Sequence, residues 1–255
     1  MEFASLFVSH GSPMLVLEDT PARHFLQSLG PRLGKPKAVI AVTAHWPSLV
    51  PALSFAAWPD KINDIYGFPP ELFRLSYPAP GAPAVAAQAA DLLGPATRRD
   101  PGRGIDHGIW SVMSLIWPEA DVPVVALSVM PDLDARYHYL LGKRLRPLAE
   151  DGVLILGTGA ATHNLMEYRD RPDHAAADAA TTAFTDWLAE ATEAGRTGDL
   201  LDYREQAPGA EFSHPTDEHL LPFFVALGAA PEGRAKRLHH SLDSGILAMD
   251  AYGFA

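Results

Sequence analysis

Lys37-Ala38-Val39-Ile40-Ala41-Val42-Thr43-Ala44-His45-Trp46 is an apolar run that ends on a histidine and an indole. Continuous apolar character over 37–44, without polar alternation, is what a strand covered on both faces requires, as in a parallel sheet packed between helices. Residues 4–9 repeat the arrangement and run into His10-Gly11-Ser12-Pro13. Between the two, Pro21–Leu33 has helical spacing, with Thr20 placed to cap it ahead of Pro21. Strand, helix and strand, with histidines where the strands end, open an α/β sheet. Ligands of such sheets gather beyond the carboxyl ends of the strands.

The same reading carried along the chain predicts further strands at 52–57, 122–130, 152–156, 237–242 and 246–254. It predicts helices at Pro83–Leu93, 107–117, 132–150, 173–194, 199–204 and 216–227, the last capped by Thr216. No repeat or break in composition divides the chain, so a single domain over 1–255 is expected. Alternating strands and helices give a three-layer α/β/α sandwich around a central mixed, largely parallel sheet. Residues 60–81, rich in Pro, Gly and aromatics, are too apolar for a plain linker. A loop of that length inside a compact domain is usually a lid or a binding wall.

Composition narrows the function. The 255 residues carry a formal charge of −11, with 47% hydrophobic content. Binding to nucleic acid or an anionic membrane needs clustered Lys and Arg, and the densest groups, Lys143-Arg144-Leu145-Arg146 and Arg234-Ala235-Lys236-Arg237, are short. Cysteine is absent, which excludes disulfides, thiolate-held metals and thiol nucleophiles. Any metal must be held by His, Asp or Glu. No apolar run approaches the ~18 residues that span a bilayer, and no basic-then-apolar leader opens the chain. A soluble, cytoplasmic protein is expected.

Eleven histidines are present, and most isolated histidines are hydrogen-bonded or solvated rather than functional. Four depart from that pattern. His10 and His45 close strand-like runs, and His163 follows the small-residue turn Gly157-Thr158-Gly159-Ala160-Ala161-Thr162. His219, in Pro215-Thr216-Asp217-Glu218-His219, would fall in a helix's first turn. A cationic ring is disfavoured there by the helix dipole, so it should stay neutral and free to bind metal. Neutral imidazole is the commonest metal ligand and a proton shuttle near pH 7.

His107, in Asp106-His107-Gly108, is a substrate-binding or supporting candidate that Asp106 could orient. His214 competes with His219 for the third ligand position. His240 would face inward on a strand with His239 outward. His24, His138 and His174 read as surface residues, and Asp217 and Glu218 as first-turn helix charges. Other chemistries lack their signatures. The Gly157–Gly159 turn has neither G-x-G-x-x-G nor a P-loop lysine, and no H-E-x-x-H or G-x-S-x-G occurs.

Taken in order, Ser9-His10-Gly11-Ser12-Pro13-Met14, Ala44-His45-Trp46, Tyr66-Gly67-Phe68-Pro69, Tyr77-Pro78-Ala79-Pro80-Gly81, Asp106-His107-Gly108, His163-Asn164-Leu165 and Pro215-Thr216-Asp217-Glu218-His219-Leu220-Leu221-Pro222 resemble the DODA-type extradiol aromatic ring-opening dioxygenases. These form the single-chain branch of the class III, LigB-like superfamily. Each motif is short, but the ordered set spans nearly the whole chain. The resemblance implies a metal held by His10, His45 and His219, with His163 as the acid/base beside it. His107 corresponds to a pocket histidine of the family. His219 looks like the position that is glutamate in the protocatechuate branch. Asn63 and His214 depart from residues that some relatives carry.

The implied reaction opens the ring of a catechol-type, DOPA-like diol with O₂. One divalent metal is required: Fe(II) for activity, at a site that Zn(II) could also fill. Tyr66 and His240 join His107 as expected substrate-binding residues. Two competing readings remain at this level, a three-histidine zinc hydrolase and a non-catalytic binding or regulatory relative.

Overall fold

The computed structural model describes residues 2–231 and 235–255; Arg234, first of the second basic group, lies outside them. Elements follow in chain order: β1 Ser5–Ser9, α1 Pro21–Leu33, β2 Ala38–Pro47, β3 Ala52–Ser54, α2 Pro70–Arg74, α3 Pro83–Leu93, β4 Arg98–Asp100, α4 His107–Ile116, β5 Val124–Val129, α5 Ala135–Glu150 and β6 Val153–Gly159. After these come α6 Leu165–Tyr168, α7 Ala179–Glu193, α8 Thr197–Leu201, α9 Tyr203–Gln206, α10 Ala210–Ser213, α11 Leu221–Ala229, β7 Ala235–His239, β8 Leu242–Asp243, β9 Leu247–Ala248 and β10 Ala251–Phe254.

Eight strands form one sheet in the order β4-β3-β5-β2-β6-β1-β10-β7. Its centre, β5-β2-β6-β1, is parallel; β10 joins β1 antiparallel, and β3 joins β5 antiparallel. The sheet is mixed and mostly parallel, as the strand–helix alternation predicts. Side chains alternate across it. Phe7, Ile40, Val42 and Ile155 pack toward α3, α5, α7 and α11, while Leu6, Val8, Val39, Ala41 and Leu156 pack toward α1 and α4. Continuous apolar strands therefore feed two cores, one on each face. Thr20 caps α1 by accepting the Arg23 N–H at 3.2 Å.

Several expectations need correction. The helix read from 173 begins at Ala179, because Asp178 accepts the Ala180 and Thr181 amides and caps it there. The helix read from Thr216 begins at Leu221, with Pro222 in its first turn. Thr216 does not cap it; its hydroxyl donates to Glu218 instead. His219 thus precedes the helix. β4, an exposed Arg-Arg-Asp edge strand, escaped the reading because charge blunts a sheet edge and leaves no apolar pattern. The late strand at 237–242 is split into β7 and β8, and the 246–254 strand into β9 and β10. His138 is no surface residue: it is fully buried, with Nε2 accepting the Met130 N–H and Nδ1–H donating to Asp134 O.

No helix among the described residues is long and apolar enough to cross a membrane.

Candidate metal centre

β1, β2 and β6 lie side by side and end at the same edge, so the histidines behind them meet. His10 follows β1 directly. Its backbone N–H donates to Gly159 O at 2.9 Å, and Gly11, at φ +57°, turns the chain away in the left-handed region that suits glycine.

His45 sits in an irregular stretch of β2. Val42 pairs with Leu127 and Pro47 with Val129, so residues 43–46 bulge from the ladder. Bulges re-aim side chains and occur beside active sites. Thr43 holds this one: its hydroxyl donates to Asp106 at 2.8 Å and accepts the His45 N–H at 3.2 Å. Arg103 closes the support, pairing with Asp106 at 2.6 Å and covering the Trp46 ring.

His219 reaches the cluster because β6 lacks side chains where it must pass. A Cβ on Gly159 would stand 2.0 Å from His219 O, and one on Gly157 2.3 Å from Pro222 O. The Ala160 N–H donates to that same His219 carbonyl at 2.9 Å. Gly157-Thr158-Gly159, expected as a turn, is the last part of β6 and forms a slot for the 219–222 backbone, not a phosphate cradle. Gly108 serves similarly, leaving room for the rings of His45 and His10, which a Cβ would approach at 3.1 and 3.3 Å.

The rings converge. Nε2 of His10 and Nε2 of His45 lie 3.2 Å apart, and ring centroids of His219 stand 5.5 Å from His10 and 5.1 Å from His45. His163 stacks on His219 at 3.4 Å, and His107 lies 4.0 Å from His45. Nitrogens of His10, His45 and His107 fall within 4.8 Å of one another, as do donor atoms of His163, Glu218 and His219.

Outer hydrogen bonds orient the rings. His10 Nδ1–H donates to Gly11 O at 2.9 Å, leaving Nε2 for the centre. His219 Nδ1 meets Glu218 Oε1 at 3.1 Å, and its buried Nε2 has no partner among the described residues. Glu218 is therefore an orienting carboxylate and not a helix-dipole charge. Asp217 pairs with Arg204 and Tyr203, and Arg204 also donates to His214 O at 2.5 Å, which ties down the loop ahead of His219.

Burial, then repulsion from His45, holds His10 well below the usual imidazole range. Burial and then His107 depress His45 to about 3. Burial and then His163 keep His219 well below the ordinary value. Burial also lowers His163, partly offset by Glu218. Uncharged rings are the form that binds metal.

Such a donor set fits a divalent cation. Two nitrogens at ~2.1 Å from one ion, at a bond angle near 100°, lie about 3.2 Å apart, which is the His10–His45 spacing. A buried orphan imidazole nitrogen beside them and carboxylate- or carbonyl-anchored Nδ1 atoms are the usual furniture of such sites.

A cavity of about 620 Å³ opens over the cluster, within the range for small-molecule sites. Tyr66, Phe68, Leu165 and Met249 give it apolar walls, and Arg169 is its one Lys or Arg among the described residues. Tyr66 is otherwise exposed. The aromatic loop expected at 60–81 does line it, though part of that loop is α2.

Two sequence candidates lie elsewhere. His240 is not among the lining residues; its Nδ1 bonds Asp250 at 2.7 Å. His214 is buried against Phe184 and Tyr203 with Nε2 donating to Ala161 O at 2.8 Å. Asp106 does not orient His107, since Thr43 and Arg103 take its carboxylate. That work falls to Asp64, which accepts the His107 backbone N–H at 3.0 Å and Nδ1–H at 2.8 Å. Sequence reasoning passed over Asp64, Glu218 as an orienter, and the glycine slot. The available signal for Asp64 was a carboxylate set next to Ile65-Tyr66 inside an aromatic loop, which it shares with Asp60 and Glu71.

The family model for the catalytic LigB subunit of aromatic ring-opening dioxygenase matches residues 4–255. The chain belongs to the LigB family. It is an extradiol aromatic ring-opening dioxygenase, so the hydrolase and non-catalytic readings fall away. Among LigB-type relatives, a 4,5-DOPA dioxygenase extradiol of Beta vulgaris is 40% identical over 98% of this chain and 96% of its own. A protein of the same name from Escherichia coli K12 is 36% identical over 88% of this chain and 84% of its own. The crystal structure of the uncharacterized protein JW3007 from Escherichia coli K12 matches with a TM-score of 0.84 at 29% identity, covering 98% of this chain and 99% of that one.

Proposed function

We propose that this chain, working as one catalytic domain over 1–255, opens the ring of a catechol that bears an anionic side chain, DOPA-like in character. In this reading His10, His45 and His219 hold Fe(II). The observation that carries the ligand set is the partnerless, buried Nε2 of His219 beside the close His10–His45 nitrogen pair. Bound there, Fe(II) supplies the one-electron chemistry that O₂ requires and that Zn(II) lacks.

The chain's own groups do the rest. His163, stacked on His219 and facing the cavity, has its pKa pushed down by burial and can accept a catechol hydroxyl proton on an imidazole nitrogen. Returning that proton later in the cycle makes it the general acid. His107, from α4, and Tyr66, from the aromatic loop, line the same cavity and would grip the ring. Phe68, Leu165 and Met249 limit water. Arg169 has no ion pair among the described residues and stands on a wall whose one acid, Asp64, is engaged by His107. A carboxylate on the substrate would satisfy it. The names of the relatives, 4,5-DOPA dioxygenase extradiol, independently support a DOPA-like diol.

A second ligand set has its own support, because His10, His45 and His107 also gather within 4.8 Å. Metal affinity of H219A and H107A separates the two: loss in H219A with near-normal binding in H107A supports the first set, and the reverse supports the second. The function is tested by oxygen uptake after anaerobic Fe(II) loading, with DOPA and other substituted catechols. Oxygen-independent behaviour toward every catechol would overturn it.

A further inference from the structure

α4 begins without help from its own N-cap residue: Asp106 makes no side-chain cap bond. Asp64, forty-three residues earlier and on the aromatic loop, performs that service for the His107 amide through Oδ1. Its second oxygen, Oδ2, takes the His107 ring at Nδ1, and the same oxygen stands 3.9 Å from Nδ1 of His45. One carboxylate thus grips both the backbone and the imidazole of His107, and faces the outer side of a second ring.

The consequence is a defined tautomer. With Nδ1–H committed to Asp64, a neutral His107 must carry its lone pair on Nε2. The ring cannot flip without losing a charge-assisted hydrogen bond. His107 stands 4.0 Å from the His45 ring and 5.3 Å from the His10 ring, edge to face, and it lines the cavity. A substrate O–H entering over the histidine cluster therefore meets an acceptor rather than a competing N–H.

We propose that Asp64 is a positioning residue for the ring-opening reaction: it locks His107 as the Nδ1–H tautomer and so makes Nε2 the acceptor that orients a catechol hydroxyl. This rests on the reading of the cavity as the catechol site. A capping role alone would stabilise α4 but would leave the tautomer and catechol recognition untouched.

Two measurements on the full chain test it. The first is the ¹⁵N spectrum of the metal-free protein, with His107 assigned through H107A. Wild type should show the Nδ1–H form, and D64A should lose it. D64N retains an oxygen for the backbone amide but sets an amide against the ring, so it should also disturb the tautomer while preserving thermal stability better than D64A. The second is binding of 4-nitrocatechol to the Zn(II)-loaded protein, which proceeds without turnover. D64A and D64N should weaken it about tenfold, the scale on which lost outer-sphere partners act. D64A should add no further loss in an H107A background. An Nε2–H ring in wild type overturns the proposal, and so does additive loss in the double variant. Wild-type protein that takes up no catechol overturns the function itself, while the tautomer still decides whether Asp64 controls His107.

Discussion

Gly159→Ala offers a test of how the site is built that touches no donor atom. Gly159 has no positive φ, so alanine suits its backbone and only space is at issue. The added Cβ would stand 2.0 Å from His219 O and 3.4 Å from the Phe7 ring. Carbon–oxygen contacts need at least about 3 Å, so the His219 carbonyl must retreat by roughly 1 Å. It cannot do so freely, because the Ala160 amide holds the same oxygen at 2.9 Å. Overpacking of this kind costs about 1–3 kcal/mol, which lowers Tm by about 2–4 °C per kcal/mol in a chain of this size.

The functional loss should be larger in proportion. A 1 Å error in a positioned group can cost about 10²-fold in rate. Metal affinity should fall by the 10–100-fold seen when orienting partners are lost. Chelator competition gives the affinity, oxygen uptake the rate, and a melting curve the stability. Gly198→Ala is the control: nothing lies within 4 Å of that Cβ, and in α8 the exchange should leave metal binding intact and raise stability slightly. If Gly159→Ala bound metal and turned over like wild type, the glycine slot would have no part in placing His219.

His163→Ala should slow turnover by about 10²–10⁴-fold, the usual worth of acid–base catalysis, with bound metal near normal by elemental analysis; loss of metal would place His163 among the ligands. Arg169→Ala should raise KM for a carboxylated catechol about tenfold, a charge-assisted bond's share, and leave catechol itself unchanged, as steady-state kinetics on the pair would reveal. Stability should depend on His240. Its bond to Asp250, reinforced by that group's charge against the cost of burial, lifts its pKa above 6.5, so the contribution is complete below pH 6.5 and fades as pH rises through the folded-state value. Denaturation midpoints from pH 5.5 to 8.5 should fall less steeply in H240Q than in wild type, and parallel curves would count against the link.

The fold was legible because a buried parallel strand leaves a continuous apolar trace. Residues 4–9, 37–44 and 152–156 all carry it, and each emerges close to its expected bounds. Where a trace depends on a partner far along the chain, it misleads. Thr216 resembles an N-cap, yet Pro222 and a turn closed on Asp217 O delay the helix to Leu221. The gain is a loop long enough to lay His219 along β6. His10 was equally readable, since it follows β1 directly, whereas His45, expected to close its strand, sits in an irregular stretch within β2.

What orients those histidines was not readable, and the reason is physical. Glu218 lies next to its ring in sequence, but helical patterning explains an acid there equally well. Asp64 and Asp106 show the deeper limit. Asp106 adjoins His107 and caps nothing with its side chain, because Thr43 and Arg103 offer its buried carboxylate a hydroxyl and a guanidinium. With that group engaged beneath the β2 bulge, the first amide of α4 and the Nδ1–H of His107 need another acceptor, and the aromatic loop supplies Asp64. Two carboxylates are thus shared between two histidines by exchange: the neighbour in sequence aims His45 through the bulge, and the distant one holds His107. Such a division follows only once β2, α4 and the loop are packed together, since it is settled by which acceptor each buried donor can reach.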